Sequence, residues 1–270
     1  GEAREVFTMD WDGANIRKLT DLKTITLSPA WAPSLNEVAF TAFVKKKGIP
    51  GKNPDLIVHN LSSGKNRLVS FREGMNSGAA FDPDGKHIYL TISYGKNPDI
   101  HKIDYSGNII SKLTSGPLGA LNVEPAISKD GKWLAFSSDR QGAAMIYVMN
   151  LQTNEVFRRT ERGVYNSSPA WSPDGTKIAF AGQVADHFDI FIMDADGKNL
   201  RAVTEAQKKP NGKMASNEDP TFSPDGRFLV YTSDRTGKNQ IYISTIDGVE
   251  ERRITHDQHN YYKPRWSANR

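Results

Sequence analysis

The feature that most constrains the fold is a short pattern repeated six times along the 270 residues. The clearest copy spans residues 168–180 and predicts a strand, a tight turn at Pro173-Asp174-Gly175 and a second strand. Proline fixes φ at the start of such a turn, aspartate bonds the nearby backbone, and glycine accepts a positive φ. The copies lie 44 to 51 residues apart, and each is anchored on one large apolar residue: Trp31, Phe81, Ile127, Trp171, Phe222 and Trp266.

Each copy predicts four short strands. In the fourth copy three further runs follow the anchor, at 177–181, 189–193 and 199–204, and Asp196-Gly197 between the last two is typical of a tight hairpin. The run at 189–193 is apolar at every position after the first, as expected for a sheet covered on both faces. Such units predict an all-β fold, namely a six-bladed β-propeller of four-stranded antiparallel blades.

The two ends of the chain predict how the propeller closes. Few residues follow Trp266, whereas residues 6–20 match the third and fourth strands of a copy. We therefore expect the closing blade to be shared between the N- and C-termini and to be one strand short. We expect the sequence to be a cut piece whose missing N-terminal segment carried that strand. A single propeller domain is expected to span residues 1–270.

Composition excludes several classes of function. The sequence has no cysteine, so it has no disulfide, thiolate metal site or cysteine nucleophile. The net charge of +4 is too mild an excess to indicate a nucleic-acid partner. No apolar run approaches the roughly 20 residues that span a bilayer, so no direct membrane insertion is expected.

The sequence also lacks the common catalytic motifs. It contains no Gly-x-Ser-x-Gly elbow, phosphate loop or dinucleotide fingerprint. The strings 137–140 and 232–235 each end in an Asp-Arg pair. We interpret their carboxylates as bonding backbone amides of the turn between the second and third strands, with the arginines packed alongside. His256 and His259 have a metal-ligand spacing but fall in a loop. We therefore predict a protein that is not an enzyme and holds no metal or cofactor.

The connectors that lead into the first strand of each copy are the candidate binding residues. In a propeller the first strand is innermost, so these connectors ring the mouth of the central channel. Two insertions, at 44–54 and 205–214, are predicted on the same face by strand parity. Methionine, tyrosine and amide groups in the connectors favour protein recognition. The alternative is that the connectors only cap strands and line an idle channel.

One known family shares this pattern. The string Pro-Ala-Trp-Ser-Pro-Asp-Gly at 169–175, with Ile-x-x-Met-Asp-x-Asp-Gly at 190–197 and Arg-x-x-Thr at 201–204, resembles the TolB-type propeller repeat. The resemblance covers all 270 residues. It implies a periplasmic, monomeric component of the Tol-Pal system, with roles in envelope integrity, cell division and protein transport. It also implies an upstream α/β domain that is absent from this chain.

The resemblance further implies a partner and its contacts. The partner is the peptidoglycan-associated lipoprotein Pal, together with other Tol envelope proteins, docked at the channel mouth. By position the Pal contacts fall on the connectors of the first three blades, with Glu124 the best-kept match: Leu27, Ser28, Met75, Asn76, Gly78, Val123 and Glu124. A second set lies in the later connectors: Ser167, Glu218, Asp219, His259 and Tyr262.

Two other functions stay open at this point. The same repeats occur in the propeller domains that gate prolyl oligopeptidase-like serine hydrolases, so a gating or substrate-filtering propeller is the main alternative. An enzymatic alternative would need a cluster of carboxylates or histidines in the channel that binds a metal.

Overall fold

The computed structural model describes residues 3–45, 52–93, 97–117 and 119–267. Within these ranges the chain forms strands, turns and bends and no helix, so the all-β prediction is confirmed. Of the predicted insertion at 44–54, residues 46–51 lie outside the described ranges. Packing divides the chain into two compact units, one built on residues 1–125 and the other on residues 126–269.

The first unit contains one two-stranded sheet and two four-stranded sheets whose neighbouring strands are antiparallel. The two-stranded sheet consists of β1 (Phe7–Thr8) and β2 (Arg17–Lys18). The next sheet consists of β3 (Thr26–Trp31), β4 (Glu37–Lys45), β5 (Lys52–Asn60) and β6 (Asn66–Ser70). The third consists of β7 (Asn76–Phe81), β8 (His87–Ile92), β9 (Asp99–Asp104) and β10 (Ile109–Lys112).

The second unit contains three further four-stranded sheets, each with its strands in chain order. The first consists of β11 (Asn122–Ile127), which begins within the first unit, β12 (Trp133–Ser138), β13 (Met145–Asn150) and β14 (Val156–Arg158). The second consists of β15 (Asn166–Trp171), β16 (Lys177–Val184), β17 (His187–Asp194) and β18 (Arg201–Ala202). The third consists of β19 (Asn217–Phe222), β20 (Phe228–Ser233), β21 (Gln240–Thr245) and β22 (Glu251–Arg253).

The predicted count of six blades is wrong, because the described residues form five four-stranded sheets and one two-stranded sheet. The difference lies in the sixth copy of the pattern. Its third and fourth strands are present as β1 and β2, as the sequence predicted for residues 6–20. The described residues around its anchor, Trp266, form no strand, and β1 has one hydrogen-bonded neighbour among the described strands.

The repeated pattern sets the register of every complete sheet. The first strand of each is six residues long and ends on its predicted anchor, as in β15, which ends at Trp171. The turn that follows has the expected chemistry. Ser172 Oγ donates to Asp174 Oδ1 over 2.6 Å, and Gly175 has a φ of 72°. Thr176 N–H donates to the same carboxylate oxygen over 3.0 Å, so the turn residues fix the hairpin locally.

The cores lie between successive sheets within each unit. In the first unit Leu56 and Val58 pack with Ile88 and Leu90 of the following sheet. In the second, Val148 packs with residues of β16 and β17, and Ile190 with residues of β20. The third strand β17 is therefore covered on both faces, as its apolar run predicted. Burial of each such side chain contributes about 1.5–3 kcal/mol.

A network of buried side-chain hydrogen bonds, which we call the latch, recurs beside these cores. Thr114 Oγ1 donates to Asp99 Oδ1 over 3.0 Å and accepts the Ile100 N–H over 2.8 Å. Asn122 Nδ2, at the start of the next sheet, donates to the same aspartate oxygen over 2.8 Å. The latch ties the outer strand, the third strand and the following connector together, so buried polar groups satisfy one another.

The latch recurs with variations. In the β17 sheet, Asp189 Oδ1 accepts two hydrogen bonds, from Thr204 Oγ1 over 2.7 Å and from Asn217 Nδ2 over 2.9 Å. At the N-terminus Thr20 Oγ1 donates to Glu5 over 2.6 Å and accepts the Val6 N–H. This arrangement marks the N-terminal segment as the third and fourth strands of a copy, which confirms the sequence prediction.

Candidate functional site

The candidate site consists of the connectors that lead into the first strand of each copy. In all six copies the residue three positions before the anchor has a φ between 50° and 68°. We call these six the left-handed residues: Ser28, Gly78, Glu124, Ser168, Asp219 and Lys263. The sixth copy therefore keeps this backbone conformation at Lys263 although it lacks a strand there.

A β-bulge explains the left-handed conformation. In β3 the pairing skips from Leu27 to Ala30, so Ser28 and Pro29 oppose one residue of β4. The same skip occurs in β7, β15 and β19. A left-handed conformation costs a residue other than glycine about 1–2 kcal/mol, and five of the six carry a side chain. Such strain persists only where the surrounding structure enforces it, and it is concentrated at functional sites.

The connectors of the first unit lie against one another. Gly78 N–H donates to Thr41 Oγ1 over 3.3 Å, and Thr41 pairs with Leu27 across β3 and β4. A Cβ atom on Gly78 would lie 4.0 Å from Glu124 Cα and 3.8 Å from Pro125 Cδ. The structure therefore brings together the three segments that the resemblance assigned to partner contact.

Six of the predicted contact residues in this unit are half-buried, namely Gly78 and five that carry side chains. These five combine apolar, hydroxyl and carboxylate groups: Leu27, Ser28, Met75, Val123 and Glu124. The Met75 backbone is fixed, because its N–H donates to Ser93 Oγ over 2.7 Å. A Cβ atom on Gly74 would lie 2.5 Å from the same Ser93 oxygen, so glycine is required for this approach.

Asn76 has a different position from the other predicted contacts. It is fully buried, and its Oδ1 accepts Ser70 Oγ over 2.7 Å while its Nδ2 donates to Arg72 O over 2.7 Å. These bonds form the latch of its copy and shape the connector. The Asn76 side chain is thus a support for the site and does not face solvent.

In the second unit the left-handed residues bond to each other. Ser168 Oγ donates to Asp219 Oδ1 over 3.0 Å, and Lys263 Nζ lies 2.8 Å from the same oxygen. Burial alone would raise the pKa of the Asp219 carboxyl. Attraction to the Lys263 ammonium and its hydrogen bond outweigh burial and lower that pKa below its ordinary value.

The other predicted residues of the second unit are more open to solvent. Glu218, His259 and Tyr262 are exposed, and Ser167 is half-buried. The His259 carbonyl accepts Gln240 Nε2 over 2.7 Å, so the backbone of this last connector is fixed. Ser168 and Lys263 fall in the predicted connectors, but neither was singled out as a contact residue. The signal that could have found them is the proline that directly follows each.

The structure refines the interpretation of the Asp-Arg pairs. Asp234 Oδ1 accepts the Ser216 N–H over 2.8 Å, and Ser216 belongs to the connector before β19. The predicted bond to an amide of the turn after β20 is therefore wrong for this carboxylate. The Arg235 guanidinium lies over the Tyr242 ring, 4.2 Å from its centroid, and thus packs alongside as predicted.

One group of side chains in the described ranges has ligand atoms close enough to hold a metal: Asp82, Asp84 and His87. Asp82 Oδ2 already accepts Tyr89 Oη and Lys102 Nζ, each over 2.9 Å. Asp84 Oδ1 accepts the N–H groups of residues 86 and 87. These bonds give both carboxylates a structural role in the turn after β7.

The described ranges include no apolar helix of membrane-spanning length.

Within each unit, repeated four-stranded antiparallel sheets pack on one another through buried apolar side chains and are joined by fixed connectors. This arrangement defines an all-β propeller protein. The family follows from comparison with known proteins. The chain belongs to the TolB beta propeller domain family, whose model matches residues 2–218 and 165–270.

Similar proteins include members of the Tol-Pal system. The chain is 31% identical over 194 residues to the Tol-Pal system protein TolB of Francisella tularensis, covering 67% of this chain and 42% of that protein. The crystal structure of TolB from Acinetobacter baumannii superposes with a TM-score of 0.79 at 27% identity, over 95% of this chain and 61% of that chain. An oligogalacturonate lyase in complex with manganese superposes with a TM-score of 0.63 at 15% identity, over 96% and 74%, and so shares the fold alone.

Proposed function

We propose that this chain is a non-enzymatic, protein-binding propeller domain of the Tol-Pal envelope system. The proposed partner is the lipoprotein Pal, and the proposed location is the periplasm. Other Tol envelope proteins are further candidate partners, and the chain is proposed to act as a monomer. The chain spans less than half the length of its Francisella relative, so these proposals concern the propeller domain.

One observation supports the proposal most directly. In the first unit, three connectors lie together and present half-buried apolar and acidic side chains on a fixed backbone. The surface, which we call the first-unit surface, comprises Leu27, Ser28, Met75, Gly78, Val123 and Glu124. The names of the related proteins support the choice of the Tol-Pal system, and the arrangement of the three connectors supports a surface for a protein partner.

The proposed mechanism is rigid docking. Ser28 and Gly78 lie in β-bulges, and latch residues such as Asn76 hold the connector. A backbone fixed before binding loses little conformational entropy when the partner arrives. Met75 and Leu27 supply adaptable apolar contact area, and the Glu124 carboxylate supplies a charge that a partner must match.

The decisive experiment reverses that charge. Glu124→Lys is expected to weaken the affinity for purified soluble Pal by at least about tenfold, measured by isothermal titration calorimetry, because like charges at an interface cost on the order of a kcal/mol or more. Glu124 is half-buried, so thermal unfolding of the variant checks that the fold is retained.

A matched variant separates the site from overall charge. Glu250→Lys makes the same change at an exposed residue of the hairpin between β21 and β22, away from the connectors. It is expected to bind Pal as the unchanged chain does. Equal affinities for all three proteins would reject the first-unit surface, and absence of Pal binding by the unchanged chain would reject Pal as the partner.

A further inference from the structure

Phe71 lies in the connector that leads into β7, four residues before Met75 of the first-unit surface. Its side chain is 56% exposed, whereas Met75 is half-buried. The resemblance did not assign Phe71 to partner contact. The exposed ring nevertheless belongs to one of the three connectors that form the first-unit surface.

The repeat does not require an apolar side chain at this position. Phe71 directly follows Ser70, the latch residue that pairs with Leu56 across the sheet and bonds Asn76. The residue directly after the latch serine or threonine is exposed in all six copies. In the other five copies it is polar or charged: Asp21, Ser115, Glu161, Glu205 and His256. The phenyl ring is therefore not needed to maintain the fold.

The backbone on both sides of Phe71 is fixed by one buried side chain. Asn76 Oδ1 accepts the Ser70 hydroxyl over 2.7 Å and the Arg72 N–H over 3.2 Å. Asn76 Nδ2 donates to the Arg72 carbonyl over 2.7 Å. The Arg72 guanidinium donates to Ser70 Oγ over 2.9 Å and to Gly107 O over 2.7 Å. Because this loop is formed in advance, little backbone entropy is lost when a partner covers the ring.

The charges near Phe71 indicate what kind of surface would cover it. Glu73, two residues further along the chain, is exposed, and Glu124 of the first-unit surface is also acidic. The Arg72 guanidinium is half-buried and is engaged in the two hydrogen bonds described above. An apolar pocket bordered by a cationic group would match both the ring and the carboxylates.

We infer that Phe71 is the aromatic anchor of the partner surface and inserts into an apolar pocket with a cationic rim on the docked protein. Aromatic side chains supply a large apolar area at interfaces, and a few such residues carry most of the binding free energy. A ring that is more than half exposed in the free chain has much of its area still to bury. The inference rests on the proposed function, because it assigns the ring to the same docking event.

Removal of the ring tests the anchor. Phe71→Ala is expected to weaken the affinity for purified soluble Pal by about tenfold or more in isothermal titration calorimetry. Its thermal unfolding midpoint is expected to be unchanged, because the ring lies mostly in solvent in the free chain. Phe71→Leu keeps an apolar side chain and is expected to retain most of the affinity. Phe157→Ala, which removes a 37% exposed ring from β14, is expected to bind Pal as the unchanged chain does.

Two further measurements test the contact and the rim. Bound Pal is expected to protect Phe71, and not Phe157, from oxidation in hydroxyl-radical footprinting. Glu73→Gln is expected to weaken binding about twofold at low ionic strength, because charges at the edge of an interface act weakly. Unchanged affinity of this variant would overturn the cationic rim.

The outcomes separate this inference from the proposed function. If Glu124→Lys weakens Pal binding and Phe71→Ala does not, the anchor is overturned and the proposed function stands. Equal losses for Phe71→Ala and Phe71→Leu, or a bound Pal that leaves Phe71 open to oxidation, would also overturn the anchor alone. Absence of Pal binding by the unchanged chain would overturn both.

Discussion

The left-handed residues of the two units share a backbone and differ in chemistry. Ser28 and Ser168 have φ values of 52° and 53°, and each begins a bulge in the first strand of its sheet. In the copy that follows, the second unit has Asp219, which bonds Ser168 and Lys263. The first unit has Gly78 at that position. Gly78 has no side chain, and a Cβ atom added there would meet its neighbours at ordinary contact distances of 3.8–4.0 Å.

This difference distinguishes the features that maintain the fold from the side chains that are proposed to contact a partner. The bulge, the following proline or alanine and the buried latch are present in both units, so they belong to the fold. The side chains of the left-handed residues are used for internal bonding in the second unit. In the first unit Gly78 has no side chain for such bonding, and the connectors around it carry apolar and acidic side chains. For this reason the first-unit surface is the stronger candidate for a partner.

The largest expected effect comes from breaking the scaffold itself. Trp171 ends β15, packs against the core shared by the β12 and β16 sheets, and donates its Nε1–H to Ala126 O over 3.1 Å. Trp171→Ala is expected to lower the free energy of unfolding by about 3–5 kcal/mol, measured by urea denaturation. Trp171→Phe keeps most of the packing and is expected to cost about 1 kcal/mol. An equal loss for the two variants would assign the effect to the hydrogen bond instead of the packing.

The next effect tests the ion pair that distinguishes the second unit. Asp219→Ala leaves the Lys263 ammonium, whose side chain is 25% exposed, without the carboxylate beside it. We expect a loss of about 2–4 kcal/mol in the free energy of unfolding, toward the lower end of the range for broken buried pairs. The matched change in the first unit, Gly78→Ala, is expected to cost about 1 kcal/mol for the positive φ.

A double variant sharpens this second test. Asp219→Ala combined with Lys263→Ala is expected to cost less than the sum of the single changes, because the pair is then removed together. Additive losses would show that the 2.8 Å contact contributes no coupling energy.

A smaller effect appears in the pH dependence of stability. The pKa of Asp219 is lowered in the folded chain, so its ionised form is favoured by folding. Its contribution is fully present above the unfolded pKa, near 3.9, and is lost as pH falls through the lower folded pKa. Asp219→Asn is therefore expected to lose less stability than the unchanged chain as pH falls below about 4. Parallel curves over that range would contradict the assignment.

Much of the scaffold could be predicted from the sequence because its signals are local. Trp171 and Gly175 fix the end of β15 and the following turn through residues adjacent in the chain. The blade count failed because a strand needs a neighbour, and local pattern around Trp266 says nothing about whether a neighbour is present. Repeats alone therefore predict units better than they predict their number.

The site was harder to predict than the strands. Asn76 was assigned as a contact from the family resemblance, by its position in the connector, yet it is buried in a latch. A sequence signal for the latch was available, because its aspartate and threonine recur at a fixed separation. Thr114 follows Asp99 by 15 residues, and Thr204 follows Asp189 by the same interval. The bond between Ser168 and Asp219 joins residues 51 positions apart, and no local pattern indicates it.

The smallest expected effect isolates that last bond. Ser168→Ala removes the hydroxyl that donates to Asp219 over 3.0 Å, and Ser28→Ala removes a hydroxyl at the same backbone conformation in the unit that has Gly78. Both variants keep the strain of a positive φ, so their difference measures the hydrogen bond. Because Lys263 still satisfies the Asp219 carboxylate, we expect Ser168→Ala to be about 1 kcal/mol more destabilising than Ser28→Ala in urea denaturation. Equal losses would mean that the two units differ in charge pairing alone and not in how their left-handed residues are tied together.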